Sequence, residues 1–164
     1  MKPEECSTSG ENTVFSLEDD GRIVVDAPLR SGGDFAVTFT AEALSVSRLR
    51  LELLNHKSLP GGGPGLGRSG MFSIEEIDFE VIDLDGSTSP VSIRVVNSTG
   101  STRLAFDHNE KTAWQVSTAR GRSIQVTLVP EKSLVLTRST RLRIRLKNRT
   151  SPGCFRLLVT SKRG

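Results

Sequence analysis

Ten residues, Ala105-Phe-Asp-His-Asn-Glu-Lys-Thr-Ala-Trp114, concentrate the chemistry of this chain. Asp107, Asn109 and Thr112 stand at offsets 0, +2 and +5 on a polar stretch, with apolar Ala105, Phe106 and Trp114 on either side. Oxygen-bearing residues at such intervals let a short loop curl around a hard cation, with main-chain carbonyls completing the shell. Apolar residues at both ends would pin such a loop to a core. The same spacing also suits an ordinary surface turn between two strands, and both readings stay open.

Other chemistry is thinly supplied. His56 and His108 are the two imidazoles, and neither lies in a G-x-S-x-G, H-E-x-x-H or paired C-x-x-C setting. His56, in Leu-Leu-Asn-His-Lys, reads as a solvated loop residue. Glu75, Glu76, Asp78 and Glu80 crowd one segment too closely for an acid/base pair. Period-two geometry puts Glu76, Asp78 and Glu80 on one face, with Ile74 beside them. Gly65-Leu-Gly-Arg-Ser-Gly70 is formally a G-x-G-x-x-G, but a dinucleotide site needs a strand before that motif and a helix after it. Here prolines precede it and a strand-like run follows, so nucleotide binding is not expected. Trp114, the single tryptophan, can serve as a sugar-stacking platform, although a lone Trp among strands reads better as core. Asp83-Leu-Asp-Gly86 reads as a capped turn rather than a cation site. A non-catalytic protein is expected.

The elements that must position these residues are strands. Val14-Phe-Ser-Leu and Arg22-Ile-Val-Val flank Glu18-Asp-Asp-Gly21 and form a hairpin. Phe35, Val37 and Phe39 alternate with polar neighbours, as do Leu49, Leu51 and Leu53. Such alternation marks strands buried on one side. Further strands are expected at 72–81, 91–96, 124–128, 133–136, 141–147 and 155–160. Short helical turns are expected near Ala41 to Leu44, and no long helix anywhere. The strand Arg141-Leu-Arg-Ile-Arg-Leu-Lys147 places Arg141, Arg143, Arg145 and Lys147 on one face. Same-face residues recur every ~6.8 Å, so four cations make a ladder ~20 Å long. Either Glu76, Asp78 and Glu80 face it from an adjacent strand, or it forms a groove for a polyanion. Arg141, Arg143 and Arg145 are the candidate ligand-binding residues on the second reading.

A chain of 164 residues can bury a core as one domain without staples. Residues 1–12 are polar and aperiodic and read as a disordered lead-in to a domain at 13–164. No apolar run approaches the ~18 residues of a membrane span. Met1-Lys-Pro-Glu-Glu lacks the apolar stretch of a secretory signal, which suits an intracellular protein or a segment of a longer chain. Cys6 and Cys154 are expected as free thiols, the first in a mobile tail and the second buried. Net charge is +3, but residues 1–119 carry ten Lys/Arg against eighteen Asp/Glu, and residues 120–164 carry twelve against one. Such asymmetry marks an anion-binding face or acidic and basic strands that pair.

The Ala105–Trp114 stretch resembles the Ala-x-Asp-Gly-x-x-x-Thr-x-Trp signature of discoidin-like, galactose-binding-like β-sandwich domains, the group of the coagulation-factor type C modules. Two further stretches, Leu59–Val81 with its glycine-rich loop and Pro152–Thr160, are similar to galactose-binding-like modules of large bacterial proteins that also carry cytochrome-c-type domains. The resemblance implies an all-β, two-sheet, jelly-roll-like sandwich. It also implies circular permutation, because the Glu-bearing strand precedes the Asp107 loop here and follows it in the ordinary order. It implies a structural calcium held by Asp107, Asn109, Thr112, Glu76 and the carbonyl of Glu75, with the Leu104 carbonyl as a further donor. His108 departs from the pattern, since it stands where the family has glycine. The implied function is a non-catalytic binding or interaction module, for carbohydrate or neighbouring protein domains, in a monomeric and extracytoplasmic setting. A structural spacer and a polyanion-binding surface are the alternatives, and nucleic acid is not an expected partner.

Overall fold

In the computed structural model, residues 2–8, 14–26, 33–97, 100–117, 119 and 121–161 are described. Among the described residues thirteen strands run in chain order: β1 (Lys2–Thr8), β2 (Val14–Leu17), β3 (Ile23–Asp26), β4 (Phe35–Thr40), β5 (Leu44–Leu53), β6 (Phe72–Ile82), β7 (Thr88–Pro90), β8 (Ile93–Asn97), β9 (Trp114–Val116), β10 (Ile124–Pro130), β11 (Leu134–Leu136), β12 (Arg141–Thr150) and β13 (Cys154–Ser161). The helical elements among the described residues are single 3-10 turns, at Pro60–Gly62, Arg68–Gly70 and Thr102–Ala105. The front sheet has the order β1-β4-β12-β6, and β7 and β9 both pair with the far side of β6. The back sheet has the order β2-β3-β13-β5-β10-β8, with β11 also beside β5. Every pairing is antiparallel. The expected all-β, two-sheet sandwich is the fold.

Alternation explains the core. Phe35, Val37 and Phe39 from β4, Ile77 and Phe79 from β6, and Leu142, Ile144 and Leu146 from β12 all point inward from the front sheet and are buried. Leu49, Leu51 and Leu53 from β5, with Val126, Leu128, Phe155 and Leu157, meet them from the back sheet. The Phe35 and Phe155 rings bridge the layers at 5.4 Å between centroids. Trp114 is core, as its setting suggests, and stands edge-on to Phe72 at 5.1 Å and 88°.

Four local expectations need correcting. Lys2–Thr8, read as disordered, is a strand paired to the edge of β4. Glu4, Glu5 and Ser7 face outward, while Pro3 is buried and Cys6 packs against the core. Backbone pairing to a pre-existing edge orders a segment that has no hydrophobic period of its own, and an edge strand tolerates the proline. The remainder of that expected lead-in lies outside the described residues. No helical turn occupies 41–44, and Leu44 already opens β5. Ile74 does not share the face of Glu76, Asp78 and Glu80, because a bulge intervenes. Lys147 pairs with Glu76 and Asn148 pairs with Ile74, which leaves Glu75 as the extra residue. That one residue flips the parity and sends Ile74 into the core. His56 is largely covered rather than solvated, at 15% side-chain exposure, with Nδ1 2.7 Å from the Ser58 hydroxyl and Nε2 3.4 Å from Glu18.

The glycine-rich segment is a packing device. A Cβ on Gly65 would lie 2.0 Å from the Met71 carbonyl oxygen, and one on Gly70 would lie 2.6 Å from the Gly63 Cα. The amide of Leu66 donates to the Ser151 carbonyl at 3.0 Å, and that of Gly153 to Pro64 at 2.6 Å. These bonds stitch the segment to the β12–β13 turn while Leu59 and Leu66 plug the core.

Cys6 and Cys154 are both free thiols, and burial pushes each up to about 11. The reactive thiolate is then ~10⁻³ of the population at pH 8. Disulfide-exchange reagents at pH 8 are therefore expected to modify both cysteines at least ~10-fold more slowly in folded than in denatured protein. Fast modification of Cys6 in the folded protein would contradict the docking of β1.

Candidate functional site

The loop from Thr102 to Trp114 is fixed at both ends. Its 3-10 turn buries Thr102 and Ala105, and Trp114 then enters β9, opposite Ile74 of β6. The polar residues between are thereby held against β6. Within the loop, the Asn109 amide donates to Asp107 Oδ1 at 3.0 Å, the Lys111 amide to Asn109 Oδ1 at 3.2 Å, and the Thr112 amide to the Asn109 carbonyl at 2.9 Å. The Thr112 hydroxyl is encircled by acceptors. It lies 3.0 and 2.9 Å from the two Asp107 carboxylate oxygens, 2.8 Å from the Asn109 carbonyl and 3.3 Å from the Leu104 carbonyl. A hydroxyl has one proton to give, so oxygen lone pairs converge here in excess of the hydrogens available.

Glu76 approaches this loop from β6. It is 7% exposed, and neither carboxylate oxygen has a hydrogen-bond partner. Burial pushes its carboxyl above the usual range, and the negative charges of Asp78 and Asp107 push the same way. His108 opposes this in part, through the charge of its imidazole first and through its main-chain amide second. An acid whose folded pKa is raised loses stability as pH climbs past its unfolded value, so the ionised form needs compensation at neutral pH. A buried carboxylate without partners is costly.

The structure thus brings Asp107, Asn109, Thr112 and the Leu104 carbonyl together and sets Glu76 beside them. The Glu75 carboxylate goes elsewhere, since its Oε1 accepts from Arg149 Nε at 2.6 Å. His108 adopts φ +55°, so this position does need the left-handed conformation that glycine takes without strain. A histidine there costs about 1–2 kcal/mol. Its Nδ1 lies 3.6 Å from Glu76 Oε1 and 3.8 Å from Asp78 Oδ1. Sequence reasoning noted His108 only as a departure and left Asp78 out of the site. The available signal was a histidine standing where the resembled pattern has glycine.

The basic ladder meets an acidic one in register. Arg143 stands opposite Glu80, Arg145 opposite Asp78 and Lys147 opposite Glu76. Glu80 Oε1 accepts from Arg143 Nη1 at 2.8 Å and from Arg145 Nε at 3.0 Å. Lys147 Nζ lies 2.8 Å from Glu110, whose carboxylate holds the ammonium above its ordinary value. Arg141 is looser, 3.9 Å from Glu4. The charge asymmetry of the chain is therefore spent largely within the front sheet. Over this face runs an open trough of about 570 Å³, lined by Asp34, Asp78, Glu110, Arg143, Arg145 and Lys147 among others. On the remaining acidic turn, the Ser87 amide donates to Asp85 at 2.9 Å, which is turn capping.

Comparison with protein-family models and with curated proteins finds no match. Among solved structures, the chain is similar to the CBM3a-L domain with flanking linkers from the scaffoldin CipA of the Clostridium thermocellum cellulosome. Identity is 14%, TM-score 0.34, and the match spans 92% of this chain and 64% of that one. It is also similar to an arabinose-bound α-L-arabinofuranosidase, at 10% identity and TM-score 0.40 over 98% of this chain and 24% of that one. A family 29 carbohydrate-binding module matches at 10% identity and TM-score 0.29, over 92% and 80%. At these scores the likenesses carry no functional argument.

Glu80 is the acid on which two guanidinium groups depend. Glu80→Gln is expected to cost about 1–3 kcal/mol in chemical denaturation, the range for hydrogen bonds to charged groups. The wild-type protein should leave a heparin column at low salt, with Arg143→Ser and Arg145→Ser changing this little. Tight retention lost on those substitutions would show the arginines to be free for a polyanion.

Proposed function

We propose that this chain is a non-catalytic binding module that takes a polar, hydroxyl-rich ligand, with carbohydrate as the class, in the trough on the front sheet. The observation that carries the reading is the trough itself. Guanidinium and ammonium donors alternate there with carboxylate acceptors across adjacent strands. Such a surface is matched to hydroxyl groups, each of which donates and accepts, and poorly matched to a polyanion that would face its carboxylates. The Ser58 hydroxyl does lie 2.7 Å from His56 Nδ1, but the Ser58 amide donates to the same nitrogen at 3.3 Å, which is the pattern of a local turn, and His108 sits apart beside Glu76 and Asp78. With Trp114 buried, ligand affinity would rest on hydrogen bonds rather than on aromatic stacking.

A structural calcium fits the residues beside the trough. The donors at hand are hard oxygens, namely Asp107, Thr112, the Asn109 and Leu104 carbonyls and Glu76, and the last is buried without a partner. When bound, a divalent ion supplies the positive charge that Glu76 and Asp107 lack and ties the loop to β6. The Glu75 carbonyl, next in the chain at the bulge, belongs to the same proposal. The implied setting is a larger protein in which the module presents ligands or partners to neighbouring domains.

Two measurements check this reading. A glycan array followed by calorimetry should reveal a carbohydrate ligand whose binding weakens at least ~10-fold on Arg145→Ala or Lys147→Ala, as expected when charge-assisted hydrogen bonds are lost. An array with no binder would favour the spacer instead. Calcium at a hundred times its dissociation constant should add about 2.7 kcal/mol of stability, which chelator removes and Asp107→Ala abolishes. Melting curves indifferent to calcium and to Asp107→Ala would reduce the loop to a turn.

A further inference from the structure

We infer that Glu76, Asp78 and His108 form a second, nitrogen-containing metal site, selective for a borderline ion such as Zn²⁺ over the hard ions an all-oxygen loop would take. Imidazole with two carboxylates is a zinc donor set, whereas calcium takes oxygen alone. The candidate ligand atoms of the three residues all lie within 4.8 Å of one another. His108 Nδ1 is 3.6 Å from Glu76 Oε1 and 3.8 Å from Asp78 Oδ1. A tetrahedral zinc with bonds of about 2.0–2.2 Å holds its ligand atoms about 3.3–3.5 Å apart. The two His108 separations therefore need only a few tenths of an ångström of closure, within the reach of the exposed His108 and Asp78 side chains.

A separate observation points to a ligand here. Glu76 has a side chain 9% exposed, and both of its oxygens lack hydrogen-bond partners, yet Oε1 lies beside His108. Arg145 stands opposite Asp78 in the sheet but turns its guanidinium to Glu80, and so leaves Asp78 to the imidazole. The bulge at Glu75 also matters, because it sets the parity that puts Glu76 and Asp78 on the outer face together. His108 is 81% exposed, and Asp78 lines both the trough and an adjoining cavity of about 350 Å³ that His108 borders. Three protein ligands leave a fourth position open, toward water or an oxygen of a molecule lying in the trough. The two sites share Glu76, but Asp107, Asn109 and Thr112 take no part in this one, so it stands without the calcium reading.

Titration of Zn²⁺ into the protein in calcium-free buffer, followed by calorimetry, is expected to show one saturable site. Co²⁺ in its place should give the visible absorption bands of a tetrahedral ion. Nitrogen-15 spectra should show zinc shifting the Nδ1 resonance of His108 while His56 stays in place. The deciding variant is His108→Gly, because glycine is relaxed at φ +55° and the fold persists while the imidazole goes. It should weaken zinc at least ~10-fold, and Asp78→Asn, an exposed change, should weaken it too. Asp107→Ala should leave zinc binding intact while removing any effect of calcium, so the two readings fail separately. Equal zinc affinity in wild type and His108→Gly, a shift at His56 rather than His108, or no saturable binding would overturn the inference.

Discussion

A buried carboxylate without a hydrogen bond is the constraint on which the site depends. Glu76 is placed where β6 turns its outer face under the Asp107 loop, and among the described residues neither carboxylate oxygen has a hydrogen-bond partner of full geometry. Burial and the like charges of Asp78 and Asp107 disfavour its ionised form, and His108, 3.6 Å away, works against them. Proteins keep such a group only where something compensates it. A proton can do so at a cost in pH range, and a cation can do so at neutral pH. Asp107 is close enough to act on Glu76 electrostatically and His108 Nδ1 stands 3.6 Å away, and under the proposed reading a cation between such groups supplies the compensation.

The remainder of the front sheet is different, because each described cation of β12 lies within 3.9 Å of a carboxylate oxygen. The register of β12 on β6 sets three cations against three carboxylates, and Glu80 holds two arginines at once. Exposed ion pairs contribute little individually. Their value here lies in specifying register, since a slip of one residue would place Arg143 and Arg145 in the core and Leu142 and Ile144 in water. The same pairing turns a chain with a strongly basic C-terminal part into a face of mixed sign.

Strand positions were legible in the sequence wherever one face is buried, because alternation in β4, β5 and β12 is dictated by the sandwich core. The pairing of the two charged ladders was legible too, as one of two readings, from their shared period. Lys2–Thr8 was not, since its order comes from bonding to β4 and leaves no periodic trace. Nor was the bulge at Glu75: an extra residue inserts no special side chain, and its effect on Ile74 emerges only when β12 is laid alongside. The loop residues Asp107, Asn109 and Thr112 were recognisable because short-range spacing determines their geometry. The role of Asp78 was hidden because His108 meets it only through the closure of loop on sheet.

The most direct test is a crystal structure of the protein grown with calcium chloride, with anomalous data to identify any ion. The account predicts an ion bonded to Glu76 and Asp107 at about 2.3–2.6 Å, the range for calcium–oxygen contacts. At saturating calcium, a Glu76 carboxylate satisfied by ordered water, with no ion between it and Asp107, would contradict it.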